Sequence, residues 1–171
     1  MFSQSTRLRG ELRWNIYTRF REYVKSLPDG REQWLSGEGG LESDAVVFEL
    51  EPSSYFDSEQ GSGTLKFVGS LRFSGYRGML YVTVSDPWIV ITPEKIEISV
   101  DSSSSGDPAR LVIAESIAGG PVRARARLNW SDVPTELTED GSVLLGGVYS
   151  AGTSLDDLHV WITNESTGDG R

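Results

Sequence analysis

Residues 64–88 read TLKFVGSLRFSGYRGMLYVTVSDPW, and this stretch decides the fold class. Apolar residues alternate loosely over 64–73. Ser74-Gly75-Tyr76-Arg77-Gly78 then has the composition of a hairpin turn, and Leu80, Tyr81, Val82, Thr83 and Val84 make 79–85 a strong strand. Asp86-Pro87 is a break, after which 88–91 resumes as strand. Downstream, Ile96, Ile98 and Val100 alternate within 95–100, and 101–108, with four consecutive serines, reads as a solvated loop. Strands are expected at 111–117 and 121–130, with closing strands at 144–149 and 158–163. Within 121–130, Arg123, Arg125 and Arg127 alternate with Ala124 and Ala126, so a period of two places the arginines on one sheet face.

Upstream, residues 11–14 read as a short strand leading into a helix. Ile16, Phe20, Tyr23, Val24 and Leu27 share one helical face, Asn15 is the expected N-cap, and Pro28-Asp29-Gly30 ends the helix in a turn. Residues 37–63 are rich in Gly, Ser and acid and read as loop, broken by a β-like run at 45–50. Short strands at roughly 8–12-residue spacing with one early helix predict a mainly β, antiparallel β-sandwich-like domain or open barrel. The N-terminal helix, about residues 15–27, packs on it. One domain is expected over residues 1–171, with its core at about 8–163, and no internal repeat occurs.

The 171 residues include 16 Lys and Arg against 25 Asp and Glu, a net charge of -9. So acidic a chain repels phosphate, which argues against nucleic acid and anionic membrane as partners. It has no cysteine and one histidine, His159. Disulfides, Cys-ligated zinc, iron–sulfur clusters, thiol nucleophiles and multi-His metal cages are thereby excluded. Charge is unevenly spread: residues 1–31 carry +4 and the remainder -13, so the helix is a basic patch on an acidic body. No apolar run has the length of a membrane span or secretory signal. The expectation is therefore a cytoplasmic chain, with export after signal removal as the alternative.

Catalytic constellations are weak. His159 sits inside a strand pattern without a nucleophile-elbow motif, and Asp156-Asp157 reads as a pair of ordinary turn acids. No phosphate-binding Gly motif stands between strand and helix. Asn164-Glu165-Ser166 fits a glycosylation acceptor, which matters only in a secreted eukaryotic chain. The chain is not expected to be an enzyme. What remains is tyrosine: Tyr23 on the helix, with Arg19 one turn earlier, Tyr76 in the Gly-rich turn, and Tyr149 in Gly146-Gly147-Val148-Tyr149-Ser150. Phenolate is a hard anionic donor suited to Fe(III) and a known axial ligand of haem iron. The alternative is that these are amphipathic tyrosines packing at the core edge.

Several stretches together resemble the HtaA domain, the haem-binding module of actinobacterial haem-uptake proteins. They are Leu12-Arg13-Trp14, Phe20-Arg21-Glu22-Tyr23-Val24, Gly61-Ser62-Gly63-Thr64, the run 68–88, and Gly146-Gly147-Val148-Tyr149-Ser150-Ala151-Gly152-Thr153-Ser154-Leu155-Asp156. Order and spacing agree from about Leu12 to about Trp161. The resemblance implies a β-sandwich-like fold that binds ferric haem b in a shallow pocket and passes it between proteins. Tyr23 matches the family's axial ligand. Where the family places a histidine that hydrogen-bonds this ligand, the chain has Tyr76. Arg19 replaces a small polar residue, and Val148 an aromatic that stacks on the haem. Tyr76 is then left with two roles, hydrogen-bond donor or second ligand. Arg19 would pair with a propionate or stabilise the phenolate, and Ile16, Phe20, Val148 and Tyr149 would bury the apolar face.

Three functions follow. The leading one is a non-enzymatic haem-binding protein with Tyr23 as metal ligand, acting in haem uptake, transfer or storage, with other haem carriers as partners. An open haem face also leaves room for a second protomer, a homodimer. The alternative is a cofactor-free β-sandwich interaction module that has lost haem ligation. A haem-dependent enzyme is the weaker rival, for want of a distal histidine.

Overall fold

The computed structural model describes residues 7–42, 45–103, 109–117 and 119–164. Along these residues run β1 (Leu8–Arg13), α1 (Thr18–Ser26), β2 (Arg31–Ser36), β3 (Gly40–Leu41), β4 (Val46–Leu50), β5 (Tyr55–Asp57), β6 (Ser62–Val68) and β7 (Ser70–Gly75). They continue through β8 (Leu80–Ser85), β9 (Trp88–Ile91), β10 (Ile96–Asp101), β11 (Arg110–Ser116), β12 (Val122–Ala124), β13 (Arg127–Leu137), α2 (Glu139–Leu144) and β14 (Ser154–Asn164). The expected mainly β, antiparallel architecture is the one observed. No helix among these residues is long and apolar enough to cross a membrane.

The stretch 64–88 forms a long ribbon bent once. Its base is β6 paired with β9 and its tip is β7 paired with β8. The bend lies where Gly69 and Asp86 face each other: Asp86 N donates to Gly69 O at 2.8 Å, and Gly69 N to Asp86 Oδ1 at 3.0 Å. The expected strand over 64–73 is therefore two strands. Gly69, at φ 146, supplies a conformation that side chains rarely adopt. Below the bend, strands run β4-β1-β14-β13-β11-β10-β9-β6, and β6 returns to β4 through Glu49 opposite Val68 and Leu50 opposite Phe67. The large sheet thus closes on itself, which removes most of its free edges. Leu12, Phe48, Leu65, Phe67, Ile98 and Leu158 are all but fully buried in its core. Each such side chain contributes roughly 1.5–3 kcal/mol by leaving water. Above the bend, β2, β7 and β8 make a small second sheet, and α1 packs across β2 and β7.

Several local expectations change. The helix spans Thr18–Ser26, not 15–27, and its N-cap is Tyr17. Asn15 instead uses its side-chain oxygen to accept from Arg21 Nη1 at 2.9 Å and Val46 N at 3.0 Å, tying the chain to β4. The cap comes from a distance: Thr18 N donates to Asp156 Oδ1 at 2.8 Å and the Thr18 hydroxyl to Asp156 Oδ2. Asp156 lies in β14 and is no turn acid. The expected strand at 121–130 is a hairpin, with Ala124 opposite Arg127. Arg125 occupies the turn at φ 59, so the three arginines do not share a face. The expected closing strand at 144–149 is instead the end of a second helix, α2, and a loop with left-handed Gly146 and Gly147. Leu144 packs at the core edge and Thr138 caps α2 by accepting from Gly141 N at 3.0 Å, so the apolar spacing there is helical. Strands β2, β3 and β5 lie in segments read as loop or passed over. The serine loop falls mostly, and the glycosylation acceptor largely, outside the described residues.

Candidate functional site

Helix α1 orients the first tyrosine. Phe20 and Val24 are buried, and Phe20 meets Phe73 edge-on with ring centroids 5.0 Å apart. Tyr23, adjacent to Val24 on the helix, is therefore turned to the rim and is 40% exposed. The hairpin tip brings Tyr76 beside it: Tyr23 OH donates to Tyr76 OH at 2.8 Å. This bond holds the Tyr23 phenol above its ordinary pKa of about 10, with desolvation as a smaller contribution, because the donated proton is harder to remove. No local periodicity signals this pair, which joins positions 53 residues apart; the resemblance alone had placed Tyr76 where a hydrogen-bond partner of Tyr23 is expected.

Tyr149 completes the cluster. Its ring meets Tyr17 edge-on at 4.9 Å and Phe20 at 6.3 Å. Burial raises its pKa first, the neighbouring Tyr17 adds to this, and Arg19 works in the opposite direction. The Ser142 hydroxyl donates to Tyr149 O, fastening the loop to α2. A Cβ built on Gly146 or Gly147 would meet nothing within 4 Å, so the loop faces open space, and Val148 is 77% exposed. The structure thus gathers Arg19, Tyr23, Tyr76 and Tyr149, with Val148 next in chain. Phe20 and Ile16, each 1% exposed, lie in the core beneath them and present no surface to a ligand.

Of the basic helix residues, Arg21 pairs with Glu32 at 2.7 Å and Lys25 reaches the same carboxylate at 3.6 Å. Arg19 is exposed and forms no ion pair among the described residues. Sequence reasoning missed Asp29, whose carboxylate binds two backbone amides of the tyrosine turn, and Met79, 90% exposed beside that turn. A turn acid after a helix carries no local sign of such a distant partner. His159 lies on β14 opposite Arg13 of β1, and its Nδ1 accepts from Asp132 N at 3.1 Å. Among the described residues, no three His, Asp or Glu side chains group so as to hold a metal ion. A separate cavity of 390 Å³ opens beside Trp88 and Arg110, where Arg110 stacks on the indole at 4.1 Å and donates to Asp86 O and Ser99 O.

A closed antiparallel β ring, a small helix-bearing sheet above it and phenols gathered at the helix rim define a class of β domain with a surface aromatic site. The HtaA family model, described as Htaa, matches residues 9–161, and the chain belongs to that family. Similar solved structures include the C-terminal domain of HtaA from Corynebacterium glutamicum, with a TM-score of 0.77, 20% identity, and coverage of 94% of this chain and 99% of that one. The N-terminal domain of HtaA from the same organism gives a TM-score of 0.76 at 23% identity, with coverage of 94% and 99%. The heme binding protein HtaB, also from C. glutamicum, gives 0.65 at 14% identity, with coverage of 94% and 95%. No curated protein sequence matches the chain.

Proposed function

We propose that the protein binds ferric haem through the Tyr23 phenolate, and holds it for uptake, storage or transfer to another haem carrier. The observation that carries this reading is the 2.8 Å bond between the exposed Tyr23 hydroxyl and that of Tyr76. Membership of the HtaA family and the fold shared with HtaB support it. The donor set suits the ligand: a hard oxygen for Fe(III), exposed Val148 and Met79 for an apolar ring, and the exposed Arg19 cation for a propionate. When bound, haem supplies a ferric ion whose charge favours the deprotonated phenol.

The protein's own part is proton management. In the free protein Tyr23 donates to Tyr76. Once Tyr23 is a phenolate it only accepts, so Tyr76 must turn its hydroxyl and donate in return. Tyr76 thereby takes the place of an imidazole neighbour as the group that orients and stabilises the phenolate. A hydrogen bond to a charged oxygen is roughly twice as strong as one between neutral groups, so the reversal favours the bound state.

Tyr23→Phe tests the reading by titration of the apo-protein with ferric haem, followed in the visible spectrum. The parent is expected to take up about one equivalent with a tyrosinate-type spectrum and the variant to leave the spectrum of free haem. Equal uptake by both proteins would return the chain to the alternative, a cofactor-free binding module.

A further inference from the structure

We propose that Asp29 is a positioning residue for this site: its carboxylate clamps the turn that aims the Tyr76 hydroxyl at Tyr23. Tyr76, Arg77 and Gly78 follow one another at φ 48, 55 and 89. Only the glycine is at ease there, since a side chain in the left-handed region crowds the following carbonyl. The two strained residues are the two that Asp29 holds. Its Oδ1 accepts from Tyr76 N at 3.0 Å and its Oδ2 from Arg77 N at 2.7 Å. Those amides, that of Arg77 first, keep the carboxyl below its usual range, so it is ionised at neutral pH and its bonds are charge-assisted.

Asp29 is also placed to couple the two tyrosines. It stands two residues after Leu27, the C-cap of α1, and Gly30 N donates back to Leu27 O at 3.0 Å. The hairpin tip rests on this same exit: a Cβ on Gly75 would come 2.7 Å from Leu27 Cδ1. One helix and its exit turn therefore set both partners, Tyr23 directly and Tyr76 through Asp29. Without the clamp, the turn is free to relax toward unstrained backbone angles and carry the phenol away.

The consequence for haem rests on the function proposed above; the positioning of Tyr76 does not. Asp29→Ala, Tyr76→Phe and the double variant are compared by two readouts. The first is the geometry of the turn in crystal structures of the apo-proteins, read as the φ angles of residues 76 and 77 and, where both phenols are kept, the distance between the Tyr23 and Tyr76 hydroxyls. Asp29→Ala is expected to let residues 76 and 77 leave the left-handed region and to carry the Tyr76 hydroxyl out of its 2.8 Å contact with Tyr23. The second is haem affinity: Asp29→Ala is expected to lose about five- to tenfold, and the double variant to be no weaker than Tyr76→Phe alone. An unmoved turn in Asp29→Ala, or losses that multiply in the double variant, would overturn the proposal. If Tyr23→Phe takes up haem like the parent, the haem reading fails and the geometry of the turn alone decides the role of Asp29. Should Asp29→Ala not fold, Asp29→Asn keeps one acceptor oxygen, and release of one of the two turn amides is expected where an unchanged turn would refute the clamp.

Discussion

The direction of one hydrogen bond sets the behaviour of the site. With Tyr23 as donor, its phenol is neutral throughout the physiological range, and the bond to Tyr76 pushes its pKa further up. Ligation through the phenolate must then release a proton. Haem affinity should rise with pH, by about tenfold per unit between roughly pH 6 and 9 for one proton released. Titrations at several pH values check this, and an affinity flat across that range would refute phenolate ligation. Tyr76→Phe has two opposed effects, easing deprotonation of Tyr23 but removing the donor that its phenolate needs. The bond to the charged form is the stronger, so a net loss of about five- to tenfold is expected. Arg19→Ser should weaken binding in a salt-dependent way, and a loss indifferent to ionic strength would argue against pairing with a propionate.

At the scale of elements, α1 depends on a cap outside itself. Asp156 satisfies the amide and hydroxyl of Thr18 at the helix N-terminus, where a carboxylate also complements the helix dipole. Asp156→Ala should cost about 1 kcal/mol and lower the melting temperature by about 3 °C, measured by calorimetry. An unchanged melting temperature would mean that the cap is dispensable. The apolar spacing of Phe20 and Val24 announced the helix, but its start at Thr18 was illegible because the capping residue lies 138 positions away. The arginine alternation failed for a related reason. A period of two describes a strand only if no turn interrupts it, and the left-handed Arg125 does. Leu144 and Val148 matched a strand over a few residues, too short a span to separate from a helix end.

For the whole molecule, the bend at Gly69 joins the closed ring to the sheet that carries the site. At φ 146, and with Trp34 Cη2 2.6 Å from where a Cβ would stand, Gly69 leaves no room for a side chain. Gly69→Ala should therefore destabilise by roughly 2–4 kcal/mol, combining backbone strain with overpacking against Trp34 and Phe48. Gly61→Ala, at φ 68 with nothing within 4 Å, should cost only about 1 kcal/mol. Denaturant unfolding compares the two, and equal costs would remove the bend from the account. The alternation of apolar residues along 64–88, its Gly and Pro breaks and the one-sided helix were enough by themselves to determine a mainly β chain with an early helix. Burial leaves a local periodic trace, which is why these were readable. Only tertiary structure decided where the sheet closes, where α1 begins, that Asp29 reaches the turn, and in which direction the expected bond between Tyr23 and Tyr76 runs. Each of these is a contact between groups far apart in sequence, and no local pattern encodes a partner that the folded chain alone brings within hydrogen-bonding distance.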